Sequence, residues 1–148
     1  MASDTPEKKP APKRRRTPSY VKNLRGVRNW KEAREWLQWR SIEDVEAMTP
    51  DLAGVPRGKM MPSVKFTTET SLALPNAVFR QTITGDYPEE TDEFQHDPLD
   101  SDLKLMPDLS TLSVVPWETD PTAQVICDIV STSGKPILYT PRNLLRHV

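Results

Sequence analysis

The sequence has one cysteine, Cys127, and two histidines, His96 and His147, in 148 residues. A lone thiol forms no internal disulfide, so a reducing, cytoplasmic setting is expected, and two histidines cannot build a histidine-rich metal site. Glycine is scarce, at 5 residues against 15 prolines. No apolar run approaches the ~18 residues a membrane span needs, so no membrane association is expected. The N-terminus MASDTPEKKPAPKRRR carries charge with no apolar stretch behind it and does not read as a secretory signal. Each absence points toward an ordinary soluble domain.

What is present is charge, unevenly spread. Residues 1–40 hold 12 Lys/Arg against 4 Asp/Glu, and residues 41–148 hold 8 against 17, which nearly cancel to the overall −1. Between Met1 and Tyr20 no apolar side chain exceeds Ala or Pro in size, while Lys8, Lys9, Lys13, Arg14, Arg15 and Arg16 cluster. Such a segment cannot offset the entropy of ordering its backbone. Residues 1–28 therefore read as a disordered basic arm, and residues 29–148 as the domain.

From Trp30 the pattern becomes helical. NWKEAREWLQWR spaces Trp30, Ala33, Trp36 and Leu37 on one face behind an Asn29 cap, with Trp39 partly off the stripe. Two strands around a Pro50-Asp51-Leu52-Ala53-Gly54 turn are expected next. VKFTTETSLAL reads as a short helix or loop ended by Pro75, and NAVFRQTITG, rich in β-branched residues, as a strand. Residues 86–102 hold eight Asp/Glu and no Lys/Arg and read as a solvated loop, with His96 exposed in it. Three strand candidates follow, LKLMPD, TLSVVPW and TAQVICDIV, the last with Val125, Cys127 and Ile129 on one face. Pro141 then opens a closing helix. The expected fold class is α+β: a β-grasp-like mixed sheet with flanking helices and a disordered basic arm.

Several residues invite a chemical reading. Cys127, in a strand without a basic neighbour, reads as a core thiol rather than a nucleophile. The spacing of the acidic stretch matches no calcium loop. Arg57, in PRGK, reads as a possible anion contact, for a phosphate or a neighbouring subunit, or as an exposed hairpin charge. KRRR offers salt-sensitive phosphate contacts, or a solubilising tail.

Five strings in order, PDLAGVPRGKMMP, VFRQTITG, LMPDLSTLSVVPW, PTAQVICDI and GKPILYTPRNLLRHV, resemble the N-terminal β-grasp domain of the glutamine synthetase family. The likeness is strongest to the gamma-glutamylpolyamine and gamma-glutamylputrescine synthetase branch, and covers about residues 31–148. The resemblance implies an ATP-dependent ligase that phosphorylates the γ-carboxylate of glutamate and lets ammonia or an amine displace the phosphate. It implies rings of subunits, with the β-grasp domain closing a neighbour's active site by one amine-side loop. In this sequence that loop is Thr82, Ile83, Thr84 and Gly85, and Thr82 stands where the family usually has Asp. A hydroxyl can hydrogen-bond an amine but brings no charge to an ammonium ion.

The family's catalytic domain would begin where the sequence stops, at Val148. ATP and Mg²⁺ are accordingly expected to be bound elsewhere: no cofactor, metal ligand or catalytic residue is assigned to this chain. The expectation is a domain inactive alone, its Trp helix and residues 82–102 packing against glutamine synthetase-type subunits in a homo- or hetero-oligomer. The rival reading is a stand-alone interaction module whose basic arm binds nucleic acid or a partner protein.

Overall fold

The computed structural model describes residues 18–87 and 102–148. The basic arm up to residue 17, most of the acidic stretch and His96 lie outside the described residues.

The first helix, α1, spans Trp30–Trp39. Asn29, in extended geometry, accepts a hydrogen bond at Oδ1 from the Glu32 amide (3.0 Å), which satisfies one of the free N–H groups of the first turn. Glu32 in turn receives the Arg28 amide (3.0 Å) and pairs with its guanidinium. Ala33, Trp36 and Leu37 are buried, while Trp39 is half exposed, as its place off the apolar stripe requires.

Strands β1 (Asp44–Pro50) and β2 (Pro56–Pro62) form the expected hairpin, with Val45 opposite Met61 and Met48 opposite Gly58. Gly58 is there for space: a Cβ would lie 2.0 Å from the Ala47 carbonyl oxygen. Next come α2 (Ser63–Thr68), β3 (Leu72–Pro75), β4 (Asp102–Pro107), β5 (Ser113–Val114), β6 (Thr122–Val130) and α3 (Pro141–His147). The sheet order is β2-β1-β6-β4-β3, with β5 also paired to β6. β1 and β6 run parallel at the centre, and all other pairs are antiparallel. This is the mixed sheet of an α+β domain.

Alternation along the strands assigns the two faces. Val45 and Ala47 of β1, Leu103 and Leu105 of β4, and Val125, Cys127 and Ile129 of β6 are buried in one core with Ala33, Trp36 and Leu37 of α1 and Phe66 of α2. Trp30 packs on Phe66, ring centroids 5.2 Å apart. Asp128 points to the other face, where Arg142 of α3 meets it, so α3 covers the sheet from that side.

Three expectations are corrected. Residues 76–85 do not form a strand: Asn76–Arg80 is a 3₁₀ turn, followed by a tight loop. β-branched composition becomes a strand only where a partner offers a ladder, and among the described residues none pairs with this segment. VKFTTETSLAL is neither helix nor loop throughout, because Leu72 and Leu74 leave α2 behind and bury themselves opposite β4. TLSVVPW shrinks to the two residues of β5, with a 3₁₀ turn at Leu109–Thr111 before it and Pro116 after it.

The start of packed structure also differs from residue 29. Residues 19–22 form a 3₁₀ turn, and Val21 and Val27 are buried. Trp36 Nε1 donates to the Asn23 carbonyl (2.8 Å), and Arg40 donates to the carbonyls of Val21 and Asn23 while its guanidinium lies over the rings of Trp36 and Trp39. Two small apolar side chains and three donated hydrogen bonds fix a stretch whose composition alone reads as a tail.

Candidate functional site

The sequence-derived candidates Thr82, Ile83, Thr84 and Gly85 come together as one loop beyond the sheet. The Gly85 amide donates to the Thr82 carbonyl (3.0 Å) with φ +90 at Gly85, a value that favours glycine. The Thr82 amide donates to the Asp86 carbonyl (2.8 Å), and the Asp86 amide to Thr82 Oγ1 (3.1 Å). Thr82 Oγ1 lies 2.9 Å from Thr84 Oγ1, which donates to Asp86 Oδ2 (2.8 Å). Ile83 is 73% exposed at the tip, far from the state of an apolar side chain serving its own core.

Asp86 is the residue that sequence reasoning passed over. By composition it is one acid of a solvated loop, yet its carboxylate belongs to the same hydroxyl cluster as Thr82. A negative charge therefore stands at the loop after all, four positions beyond Thr82. The signal available was the TGD string, in which a turn glycine folds the next side chain back on the loop.

Arg57 is neither a free hairpin charge nor turned to solvent. Its side chain is 13% exposed and every guanidinium nitrogen is engaged: Nε with Asp51 Oδ2 (2.9 Å), Nη1 with Gln81 Oε1 (3.1 Å) and Nη2 with the Thr82 carbonyl (2.8 Å). Burial opposes ionisation of Asp51, but Arg57 and the Val55 and Ala53 amides outweigh it, and the carboxyl is held below its ordinary value. Sequence reasoning missed Asp51 and Gln81 as well.

Of the remaining candidates within the described residues, Cys127 is a core thiol. Cys127 is fully buried; burial, then the Asp128 charge, push its thiol up to about 12. Among the described residues no group of three or more His, Cys, Asp or Glu is placed to hold a metal ion. Asp51, Asp108 and Asp128 each face an arginine, so they do not form the open carboxylate cage that Mg²⁺ would require. No helix among the described residues is long and apolar enough to cross a membrane.

No family model matches the chain. Curated proteins do match. A glutamate–isopropylamine ligase from Pseudomonas sp. is 33% identical over 118 residues, which are 78% of this chain and 26% of that protein. Lengsin from Homo sapiens is 32% identical over 118 residues, 78% of this chain and 23% of lengsin. A glutamine synthetase from Methanococcus maripaludis is 52% identical over 52 residues, 32% of this chain and 11% of that enzyme. The chain is homologous to members of the glutamine synthetase family. It spans about a quarter of the length of the first two relatives. A solved glutamine synthase homologue superimposes with a TM-score of 0.56 at 26% identity, covering 72% of this chain and 25% of its own. GmaS without ligand has the same fold, with a TM-score of 0.58 at 20% identity, over 76% of this chain and 24% of its own. The likeness thus covers about three quarters of the chain, in sequence and in fold.

Proposed function

We propose that this chain is the β-grasp domain of a glutamine synthetase-type ligase and contributes its loop at residues 82–86 to the amine side of a neighbouring subunit's active site. The observation that supports the reading is the loop itself: a carboxylate and two hydroxyls, on an exposed tip held from below by a partly buried arginine.

The chemistry asks for such a loop. In the reaction the family resemblance implies, glutamate is activated as an acyl phosphate. The amine nitrogen then attacks the γ-carbonyl, the new C–N bond forms, and phosphate leaves with the C–O electron pair. An amine arrives mostly protonated at neutral pH and must give up a proton, to the Asp86 carboxylate or to water, before it can attack. Asp86 supplies the counter-charge that holds the ammonium form, and Thr82 and Thr84 supply hydrogen bonds that orient it. The glutamate, ATP and Mg²⁺ sites belong to a catalytic domain with which this one assembles in a homo- or hetero-oligomer. A reducing cytoplasm suits a ligase domain with a single buried thiol.

The Pseudomonas relative acts on isopropylamine by its name, and an alkylamine or polyamine substrate is proposed here by analogy. The test is to co-express the chain with a glutamine synthetase-type catalytic domain and measure amine-dependent ADP release. Activity is expected only in the mixture, with the amine KM raised about tenfold or more by Asp86→Asn. An assembled enzyme whose amine dependence ignores changes at Thr82, Thr84 and Asp86 would overturn the proposal.

A further inference from the structure

The loop at residues 82–86 is held by an apparatus that begins in another part of the chain. Asp51, 4% exposed, sits in the turn between β1 and β2. Its Oδ1 accepts from the Ala53 and Val55 amides (2.9 and 2.8 Å), and its Oδ2 accepts from Arg57 Nε. Three hydrogen bonds thus fix one carboxylate, and the carboxylate fixes the plane of one guanidinium. The two remaining nitrogens of Arg57 reach Gln81 Oε1 and the Thr82 carbonyl. That carbonyl is also the acceptor for the Gly85 amide, so Arg57 grips the atom that closes the turn.

Among the described residues, every other hydrogen bond of residues 82–86 stays inside those five positions. Among the described residues, the hydrogen bonds that tie the loop to the sheet therefore run through Arg57. Electrostatics add a second reason for Asp51. An unpaired guanidinium under a loop that carries Asp86 would draw on the same negative charge as a bound cation. Asp51 neutralises it in place.

We propose that Asp51 and Arg57 are positioning residues: they set the pose of the loop at residues 82–85 and keep the ground beneath it electrically neutral. The inference rests on the amine-side reading for its catalytic consequence, but not for its mechanical one.

The test is ¹⁵N relaxation on the full 148-residue chain. Backbone order parameters at Thr84 and Gly85 are expected near about 0.85 in the parent and below about 0.6 in Arg57→Ala, with β6 amides unmoved. Asp51→Asn should loosen the loop in the same way, and combining it with Arg57→Ala should add nothing further. Arg57→Lys keeps the charge without the planar fork and should restore only part of the order. Gln81→Ala, which leaves Asp51 and Arg57 paired, should give a smaller loss and serves if the other variants fail to fold. An unchanged loop in Arg57→Ala, or a β6 that loosens with it, overturns the proposal.

In the assembled ligase, Asp51→Asn should raise the amine KM about tenfold while kcat stays within about twofold. Equal losses in both would mark a merely structural pair. If the parent chain supports no ligation, the amine-side reading falls, and the relaxation data still decide whether the pair holds the loop.

Discussion

Asn143 completes the backbone of Ile129. Its Oδ1 accepts from the Ile129 amide (3.4 Å), while its Nδ2 donates to the Ile129 carbonyl and to the Ile137 carbonyl (3.1 Å). One amide side chain on α3 thereby serves the last stretch of the central strand, where the ladder with β4 is ending, and is itself buried. Replacing it with Ala removes the acceptor of the Ile129 amide, while the Ile129 and Ile137 carbonyls keep the Ile137 and Thr140 amides as donors; a cost of about 1–3 kcal/mol is expected. Chemical denaturation should show that loss, and trypsin should cut earlier at Arg142 and Arg146.

The same helix is held by charge. Arg142 and Arg146 both reach Asp108 and Asp128. Burial raises the cost of ionising Asp108, but Ser110 and the two guanidinium groups prevail, and its pKa lies below the ordinary value of 3.8. A carboxyl depressed in the folded state contributes stability that is full above its unfolded value and lost as pH falls through the folded one. Denaturation midpoints measured from pH 7 downward should therefore hold until about pH 4 and then drop. Asp108→Asn should be less stable at pH 7 and should show a shallower fall in acid.

Trp36 tests where the packed domain begins. Trp36→Phe keeps most of the buried ring but removes the hydrogen bond to the Asn23 carbonyl. A loss of about 1–2 kcal/mol is expected. Hydrogen exchange should rise first in residues 18–28, with β1 and β6 protected. Uniform loosening would count against a separate attachment of that segment.

Gly58 has no room for a methyl group. Gly58→Ala should cost about 3 kcal/mol or more, since the obstructing atom is a backbone oxygen rather than a side chain that can turn away. Thermal melting followed by circular dichroism reads this directly. Gly54, whose added Cβ meets nothing within 4 Å, is the comparison; its Ala variant should suffer only from the φ of +80.

Cys127 should stay silent. With its thiol pushed up to about 12 and its side chain enclosed, a thiol reagent at pH 8 should label it only after denaturant is added. Labelling of the native chain at a rate typical of free cysteine would show that the core opens.

Much of the fold was legible along the chain because periodicity reports burial. The Asn29 cap and the apolar stripe gave α1, alternation gave the buried face of β6, and turn residues gave the β1–β2 hairpin. The loop was less legible. Its location came from the string TITG, but the strand expected there failed, because a β-branched run cannot announce whether a neighbouring strand exists. Asp51, Gln81 and Asp86 went unread as functional partners for a related reason: each acts through a residue distant in sequence or folded back by a turn.

The sequence by itself determined the apolar faces of α1 and β6, where α1 and α3 start and that the thiol is a core residue, since these follow from local spacing and side-chain chemistry. Only the tertiary structure decided that Arg57 reaches across to Thr82, that residues 18–28 are held by Trp36 and Arg40, and that two aspartates and two arginines meet beneath α3. Those contacts join segments far apart along the chain. Their geometry exists only after the parallel β1–β6 pair has brought the segments together.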